Sequence, residues 1–427
     1  MTVRTFAVSL ALVLVFTGSR SGLLYAVPAI TLLDIGTLGG SSSVALAVND
    51  YGQVVGSSDT AGNAEQHAFS WTAAGGIVDL GTFGGRTAAT GVNDNGLVVG
   101  YSDDSSTRRA LVWTAADGMV DIGSLGGGSS AAFGVNDSGQ VVGWSEVITG
   151  QAPHAFVWTL AEGMTDLGTL GDPSWQSVAT AINESGQIVG WSRSSKLGDV
   201  HAFSWTAGGG MVDLGTLGGT RSSAEAVSDS GQVVGSSHLA GDAEMRAFSW
   251  TTTGMVNLGV LTSGSTLSAA AGVNSSGQVV GYSYLHPAPE PHAVSWTSGG
   301  ALIDLGTLGG TTSAAAAINE SGLIAGYSTL ADGTQHAVVW SIGVATPEDI
   351  VAALANDAII VGFAQSTNLL ERVVDLLAQD RTATACNQLH AFINQVEAHS
   401  AQSLTVDEAD RLIQMARNAL EGLGCGS

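Results

Sequence analysis

The sequence predicts a mainly β protein: a seven-bladed β-propeller of four-stranded blades, closed by its own N-terminal strand and followed by a small α-helical bundle. Three observations predict it. A unit of about 45 residues recurs seven times between residues 31 and 340. Each unit holds four short strand candidates separated by turn signals. The array also begins and ends out of phase, with a lone fourth strand at its start and a missing fourth strand at its end. The implied division is a signal segment over 1–29, the repeat array over 30–341 and a helical domain over 342–427.

The opening residues read as an address. Arg4 precedes an apolar run from Phe6 to Phe16 in which Ser9 is the one polar residue, and small residues lead to Ala26 and Ala29. This is the pattern of a secretory signal peptide cleaved after one of those alanines. Eleven residues are too few to span a bilayer, and no later segment is long and apolar enough, so no membrane span is expected after cleavage. Composition narrows the partners. Thirteen basic residues, with Lys196 the one lysine, face 37 acids, for a net charge of -24. Nucleic acid and anionic membrane both need clustered positive charge and are excluded on that ground. With 44% hydrophobic and 12% charged residues, the chain is not an acidic disordered tail either.

Three markers count the repeats independently. The tryptophans are Trp71, Trp113, Trp158, Trp205, Trp250, Trp296 and Trp340, spaced by 42, 45, 47, 45, 46 and 44 residues. The turn positions are Asn49, Asn93, Asn136, Asn183, Ser228, Asn274 and Asn319; the positions before Leu/Ile-Gly are Asp34, Asp79, Asp121, Asp166, Asp213, Asn257 and Asp304. Within a unit, an Ala-rich strand leads through Asn-Asp-Ser-Gly, a tight-turn signal, into Gln-Val-Val-Gly. His-Ala-Phe-x-Trp-Thr and Met-Val-Asp-Leu complete it. In the third strand His154, Phe156 and Trp158 share one face and Ala155 the other, which suits sheets that stack and interdigitate. One opening strand over 31–35, six complete units and a last unit of three give 28 strands, or seven full blades if the two ends pair. Pairing also removes the open edges that a linear array would expose.

After Ser341 glycine thins out and the periodicity becomes helical. Thr346-Pro347-Glu348-Asp349 reads as a helix start, Leu369 to Leu377 as a second helix, Cys386 to Val396 as a third. Thr405 and Glu408 form a capping box before a last stripe from Ala409 to Leu423. Cys386 and Cys425, 39 residues apart, are the two cysteines. They fall at helix ends that an antiparallel hairpin makes neighbours, so export predicts a disulfide between them.

The recurrent polar residues are read as blade wiring. Five third strands open with His67, His154, His201, His292 and His336, and the other two carry Arg109 and Arg246. Symmetry spreads these around a ring, whereas acid–base or metal chemistry would need convergence. Asp79 and its equivalents are expected to bond a turn or a neighbouring blade. Asn-Asp/Glu-x-Gly lacks the oxygen ladder of a calcium loop and reads as a turn. Candidate ligand contacts lie where symmetry breaks, in the loops between second and third strands and in the links between blades: Asp103, Asp104, Arg108, Trp175, Arg193, Lys196, His286 and Glu290. Asp103, Asp104 and Glu290 could serve as glycosidase carboxylates, but nothing in the sequence sets their separation. No catalytic, cofactor or metal-binding residue is singled out, and no cofactor is implied.

The motifs also carry a resemblance. His154-Ala155-Phe156, His201-Ala202-Phe203 and Asp213-Leu214-Gly215-Thr216-Leu217-Gly218-Gly219 resemble the HAF-repeat family of extracellular bacterial proteins. Ala385-Cys386-Asn387-Gln388-Leu389 with Ala391-Phe392-Ile393-Asn394-Gln395-Val396 resembles the FIMAH helical hairpin. Arg109-Ala110-Leu111, Arg246-Ala247-Phe248 and two His-Ala-Val copies depart from the repeat motif, which counts against a shared catalytic histidine. The resemblance implies a bacterial protein, secreted or held at the cell surface. The expected function is a non-enzymatic binding or scaffolding module whose partner is a glycan or a cell-surface protein. A carbohydrate-active enzyme, glycosidase or lyase, is the rival reading.

Overall fold

The computed structural model describes residues 5–6, 28–104, 107–148, 151–288, 290–344, 351, 367–377, 379, 381–399 and single positions between 409 and 425. The chain divides into two compact units. One holds residues 1–6 and 32–341, the other 7–31 and 342–427.

The first unit is a seven-bladed propeller. Its blades span 39–81, 86–121, 130–166, 177–213, 218–257, 268–304 and 309–344, each an antiparallel sheet whose strands pair in chain order. The seventh takes its fourth strand from Pro28–Gly36, laid beside Gln335–Val344. That makes the 28 strands expected, with the closing strand longer than 31–35. Thr5–Phe6 add a two-residue ladder along that edge. Closure is also written in hydrogen bonds across the chain's ends. His336 donates to Asp34 at 2.9 Å, and the Ala337 amide donates to Ser43 Oγ at 2.8 Å.

The two-faced third strand explains how blades stack. Phe156 is fully buried against Ala110 and Val112 of the preceding blade, while Ala155 on the opposite face packs towards Ala179, Ile188 and Phe203 of the next. Phe69, Phe203 and Phe248 repeat the arrangement, also fully buried. Each such ring contributes roughly 1.5–3 kcal/mol by burial. The Val-Val-Gly motif has a steric cause. A Cβ on Gly143 would stand 1.9 Å from the Ala131 carbonyl oxygen, and the equivalent glycines meet the same obstacle. There the innermost strand carries a bulge, between Ala132 and Gly134 in the third blade and at the matching place in all seven.

At one end of the axis the seven turns between first and second strands are wired to each other. Asn49 Nδ2 donates to the Asn93 carbonyl, Asn93 to Asn136, Asn136 to Asn183, Asn183 to Ser228, Asn274 to Asn319 and Asn319 to Asn49, at 2.9–3.3 Å. The next residue adds a second ring. The backbone N–H of Asp50, Asp94, Asp137, Glu184, Ser275 and Glu320 each donates to a carboxylate one blade on. Both rings skip the same junction. Between the fifth and sixth blades Ser228 has no amide to give and Ser275 no carboxylate to receive, so among the described residues six of seven seams carry this double latch.

In the second unit, helices Thr367–Leu377 and Thr382–His399 bury Leu370, Val373, Leu389, Phe392 and Val396 together with Leu412, Ala416 and Ala419. The third helix thus starts four residues before Cys386. Cys386 and Cys425 form the expected disulfide, with Cα atoms 6.0 Å apart. The helix start at 346–349 and the capping box at 405–408 lie outside the described residues.

Candidate functional site

The recurrent histidines are clips within blades. His154 Nδ1 donates to Asp166 at 2.8 Å, and the same aspartate accepts the Gly168 amide at 2.7 Å. His67–Asp79, His201–Asp213, His292–Asp304 and His336–Asp34 repeat this pairing. The aspartates therefore serve the adjacent strand and their own turn, not a neighbouring blade. Arg109 keeps the pairing with Asp121 at 3.3 Å, whereas Arg246 crosses to the Ser265 carbonyl in the link to the sixth blade. His292 is raised from its usual pKa by its bond to Asp304, against burial. For His67, burial works downwards but bonds to Glu65 and Asp79 prevail. Among the described residues no group of three or more metal-ligating side chains occurs, and no helix is long and apolar enough to cross a membrane.

The loop candidates fall into separate places. Arg108 forks onto Asp103 at 2.7 and 3.0 Å and lies 4.1 Å over the Tyr101 ring. Asp104 ties its own loop through Thr107 and meets Arg109 at 3.4 Å. Arg108 and Arg109 line a cleft of about 220 Å³ with Asp121 and Ser124, but both are paired with aspartates, so the cleft is not a free anion site. Trp175 is half-buried, packed on Gly171 with the Arg193 guanidinium 5.1 Å from its ring. Lys196 is exposed beside it, its carbonyl accepting from Arg193. His286 is exposed, its amide donating to Thr262 Oγ1, while Glu290 sits half-buried one strand-start away from His292. These residues belong to the second, fourth and sixth blades and are not brought together.

A different set stands on the second strands, beside the innermost ones. In every second strand, the residue after the repeated glycine lies opposite the innermost-strand residue that follows Ser43, Thr87, Ser130, Ser177, Ser222, Ser268 or Ser313, in the half nearer the loops. Around the propeller these are Ser57, Tyr101, Trp144, Trp191, Ser236, Tyr282 and Tyr327. The five aromatics are all partly accessible, although the serine that follows each is buried. Tyr284 extends the set, its ring 6.1 Å from Tyr282 in an edge-on arrangement.

The bulge residues of the innermost strands are Leu46, Thr90, Phe133, Thr180, Glu225, Ala271 and Ala316. Thr90 and Thr180 use their hydroxyls to bond the innermost strand of the next blade, at 2.8 Å in each case. Glu225 is the one charged residue of the seven. A mid-strand residue on the innermost strand reaches water through the axial channel, and Glu225 is exposed there while walled in by protein. Burial accordingly pushes its carboxyl above the ordinary glutamate range, against a hydrogen bond from Ser223 Oγ at 2.7 Å. Burial also raises Tyr282, helped by the nearby Tyr284, Glu225 and Tyr327 groups. Neither Glu225 nor the aromatic set was among the sequence candidates, which were sought in loops. The signal was available as a single acid at a repeat position otherwise filled by Leu, Thr, Phe and Ala.

No protein-family model matches the chain, and no curated protein matches it. Among solved structures, a gluconolactonase from Xanthomonas campestris is 10% identical with a TM-score of 0.37, over 74% of this chain and 90% of its own. A Bacteroides fragilis protein described as a 6-phosphogluconolactonase is 11% identical with a TM-score of 0.34, over 71% and 95%. At these scores the likeness carries no argument about chemistry, and the propeller rests on its own strand pairing.

Proposed function

We propose that this chain is an exported binding module of a bacterial surface or its surroundings, with its recognition surface at the loop-bearing mouth of the axis and a glycan as its partner. One observation carries the reading: the accessible aromatics Tyr101, Trp144, Trp191, Tyr282 and Tyr327 recur at one repeat position around that mouth. Buried packing would favour one repeated residue, as it does for the alanines and phenylalanines between blades. A position that varies among Tyr, Trp and Ser while staying accessible suits stacking against the apolar faces of sugar rings, with phenol and indole N–H groups at hand for hydroxyls. The HAF-repeat and FIMAH resemblances support export and attachment outside the cell. The loop residues Asp103, Asp104, Arg108, Trp175, Arg193, Lys196, His286 and Glu290 form the rim of this surface.

The test is retention of the full mature protein on a panel of soluble and insoluble glycans, read together with reducing-end release and with hydrolysis of an aldonolactone. Saturable retention without turnover is expected, weakened tenfold or more by Trp144→Ala combined with Trp191→Ala. Turnover that disappears in Asp103→Asn or Glu290→Gln would replace this reading with the carbohydrate-active enzyme.

A further inference from the structure

Symmetry fails at one seam in three ways. The junction between the fifth and sixth blades lacks both turn-end latches. The bulge residue on its fifth-blade side is the acid Glu225. On its sixth-blade side, the second strand Val279–Tyr284 carries two accessible tyrosines, Tyr282 and Tyr284, with Tyr327 of the seventh blade within electrostatic reach of both. Repeat proteins give up a local rule where something other than folding is gained. Here the exception places a carboxylate on the innermost strand beside the sixth blade, within electrostatic reach of Tyr282.

We propose that Glu225, Tyr282, Tyr284 and Tyr327 form a subsite for an ammonium group on the ligand. This deepens the glycan reading and rests on it for the source of the amine, a free amino sugar rather than an N-acetylated one. Among the described residues no arginine or lysine pairs with Glu225. Its hydrogen bond from Ser223 satisfies one oxygen and leaves the charge uncompensated. A carboxylate enclosed in this way gains most from a cation, since screening by water is reduced there. Aromatic faces add attraction for the same charge, the arrangement that recognises alkylammonium groups generally. A neutral hydroxyl would gain only the hydrogen bond, and an anion would be repelled. The net charge of -24 adds a long-range field that draws cations towards the molecule.

The experiment is calorimetric titration of the mature protein with glucosamine oligomers, with N-acetylglucosamine oligomers and with tetramethylammonium. The variants are Glu225→Gln, Tyr282→Leu and Asp229→Asn, the last removing one charge at the opposite mouth. Glucosamine oligomers should bind at least tenfold more tightly than their acetylated counterparts. Glu225→Gln should abolish that preference, Tyr282→Leu should weaken it, and Asp229→Asn should leave it in place. Equal affinity for both oligomers, or equal losses in Glu225→Gln and Asp229→Asn, overturns the subsite, the second result showing only global charge. Binding of tetramethylammonium that depends on Glu225, without binding of either oligomer, upholds the ammonium subsite and removes the glycan. Binding of nothing removes both. A melting curve for each variant separates loss of the site from loss of the fold.

Discussion

The two mouths of the propeller are made by the same seven units and use their side chains in opposite ways. At the turn-bearing mouth nearly every unit spends the same two residues on its neighbour: an asparagine amide on the next carbonyl and a carboxylate on the preceding backbone N–H. At the loop-bearing end a third-strand alanine amide still donates to a serine of the next blade at six seams, but the connecting loops and the aromatic position differ from blade to blade and leave polar groups facing water or each other. Identity around a ring is what closure demands, because each seam is the same mechanical problem. Departure from identity marks residues released from that problem. The comparison teaches where to look for function in such an array, and it can be broken by substitutions that trade effects between the mouths.

The largest effect should come from removing closure itself. Deleting residues 30–36 strips the seventh blade of its outer strand and of Asp34, the partner of His336. The bare edge of Gln335–Val344 would then template association. Aggregation or loss of the cooperative melt is expected by light scattering and circular dichroism. Monodisperse protein with an unchanged melt would mean that the ends do not hold the ring.

Next comes a single latch. Asn136 is buried, donates to the Asn183 carbonyl and accepts from the Gln140 amide. Asn136→Ala leaves both partners unsatisfied and should cost about 1–3 kcal/mol in denaturant unfolding. Glu225→Gln at the other mouth removes a charge that burial disfavours, so it should cause no loss and should leave the midpoint equal or raised at neutral pH. Similar losses from the two would erase the distinction between the mouths.

A smaller effect of opposite sign is expected at the unlatched seam. Ser228→Asn with Ser275→Asp gives the fifth and sixth blades the bonds the other seams have. Each should add ~0.5–1.5 kcal/mol, read as a higher unfolding midpoint at constant slope. No gain, or a loss, would show that this seam is spaced differently from the other six.

How much of this was legible in the sequence follows from the same contrast. The blades, their number, the borrowed strand and the structural role of the repeated His and Asp residues, though not their pairing with each other, could be read because folding repeats its residues at a fixed period: Trp71 to Trp340, Ala155 opposite Phe156, Asp166 before Leu-Gly. The disulfide was legible from two cysteines at helix ends. The axial residues were not read, although their letters were visible. Tyr282 and Glu225 lie inside strands, where a departure from the consensus looks like tolerance until the bulge and the innermost position are known. Ser228 stood out among seven turn residues, yet only the hydrogen bonds show that Ser275 breaks the companion ring at the same seam. Trp175 was a candidate because its link is irregular; it lies half-buried on Gly171 with the Arg193 guanidinium over its ring.

The smallest effect separates the regions by pH. At the turn-bearing mouth burial raises Asp94 and Glu184 above the usual carboxylate range, with neighbouring acids of the ring adding to it. In the clips His67 and His292 are raised above 6.5. All four bind protons more tightly in the folded chain than in the unfolded one. Their stabilisation is therefore complete below the unfolded pKa and lost as pH rises through the folded value. For the carboxylates the loss begins near pH 4; for the histidines it begins near pH 6.5. Stability should thus fall in two separate steps between about pH 4 and 8. Asp94→Asn keeps an acceptor for the Asp50 amide and removes the repulsion, so it should raise the melting midpoint at neutral pH and flatten the lower step alone. His292→Gln can still donate to Asp304 but cannot charge, so it should flatten the upper step alone. The check is the melting midpoint measured at half-unit intervals for the parent and both variants. A variant that flattens the wrong step would mean that the two mouths share one electrostatic network, and that uniform wiring at one end is not independent of the varied surface at the other.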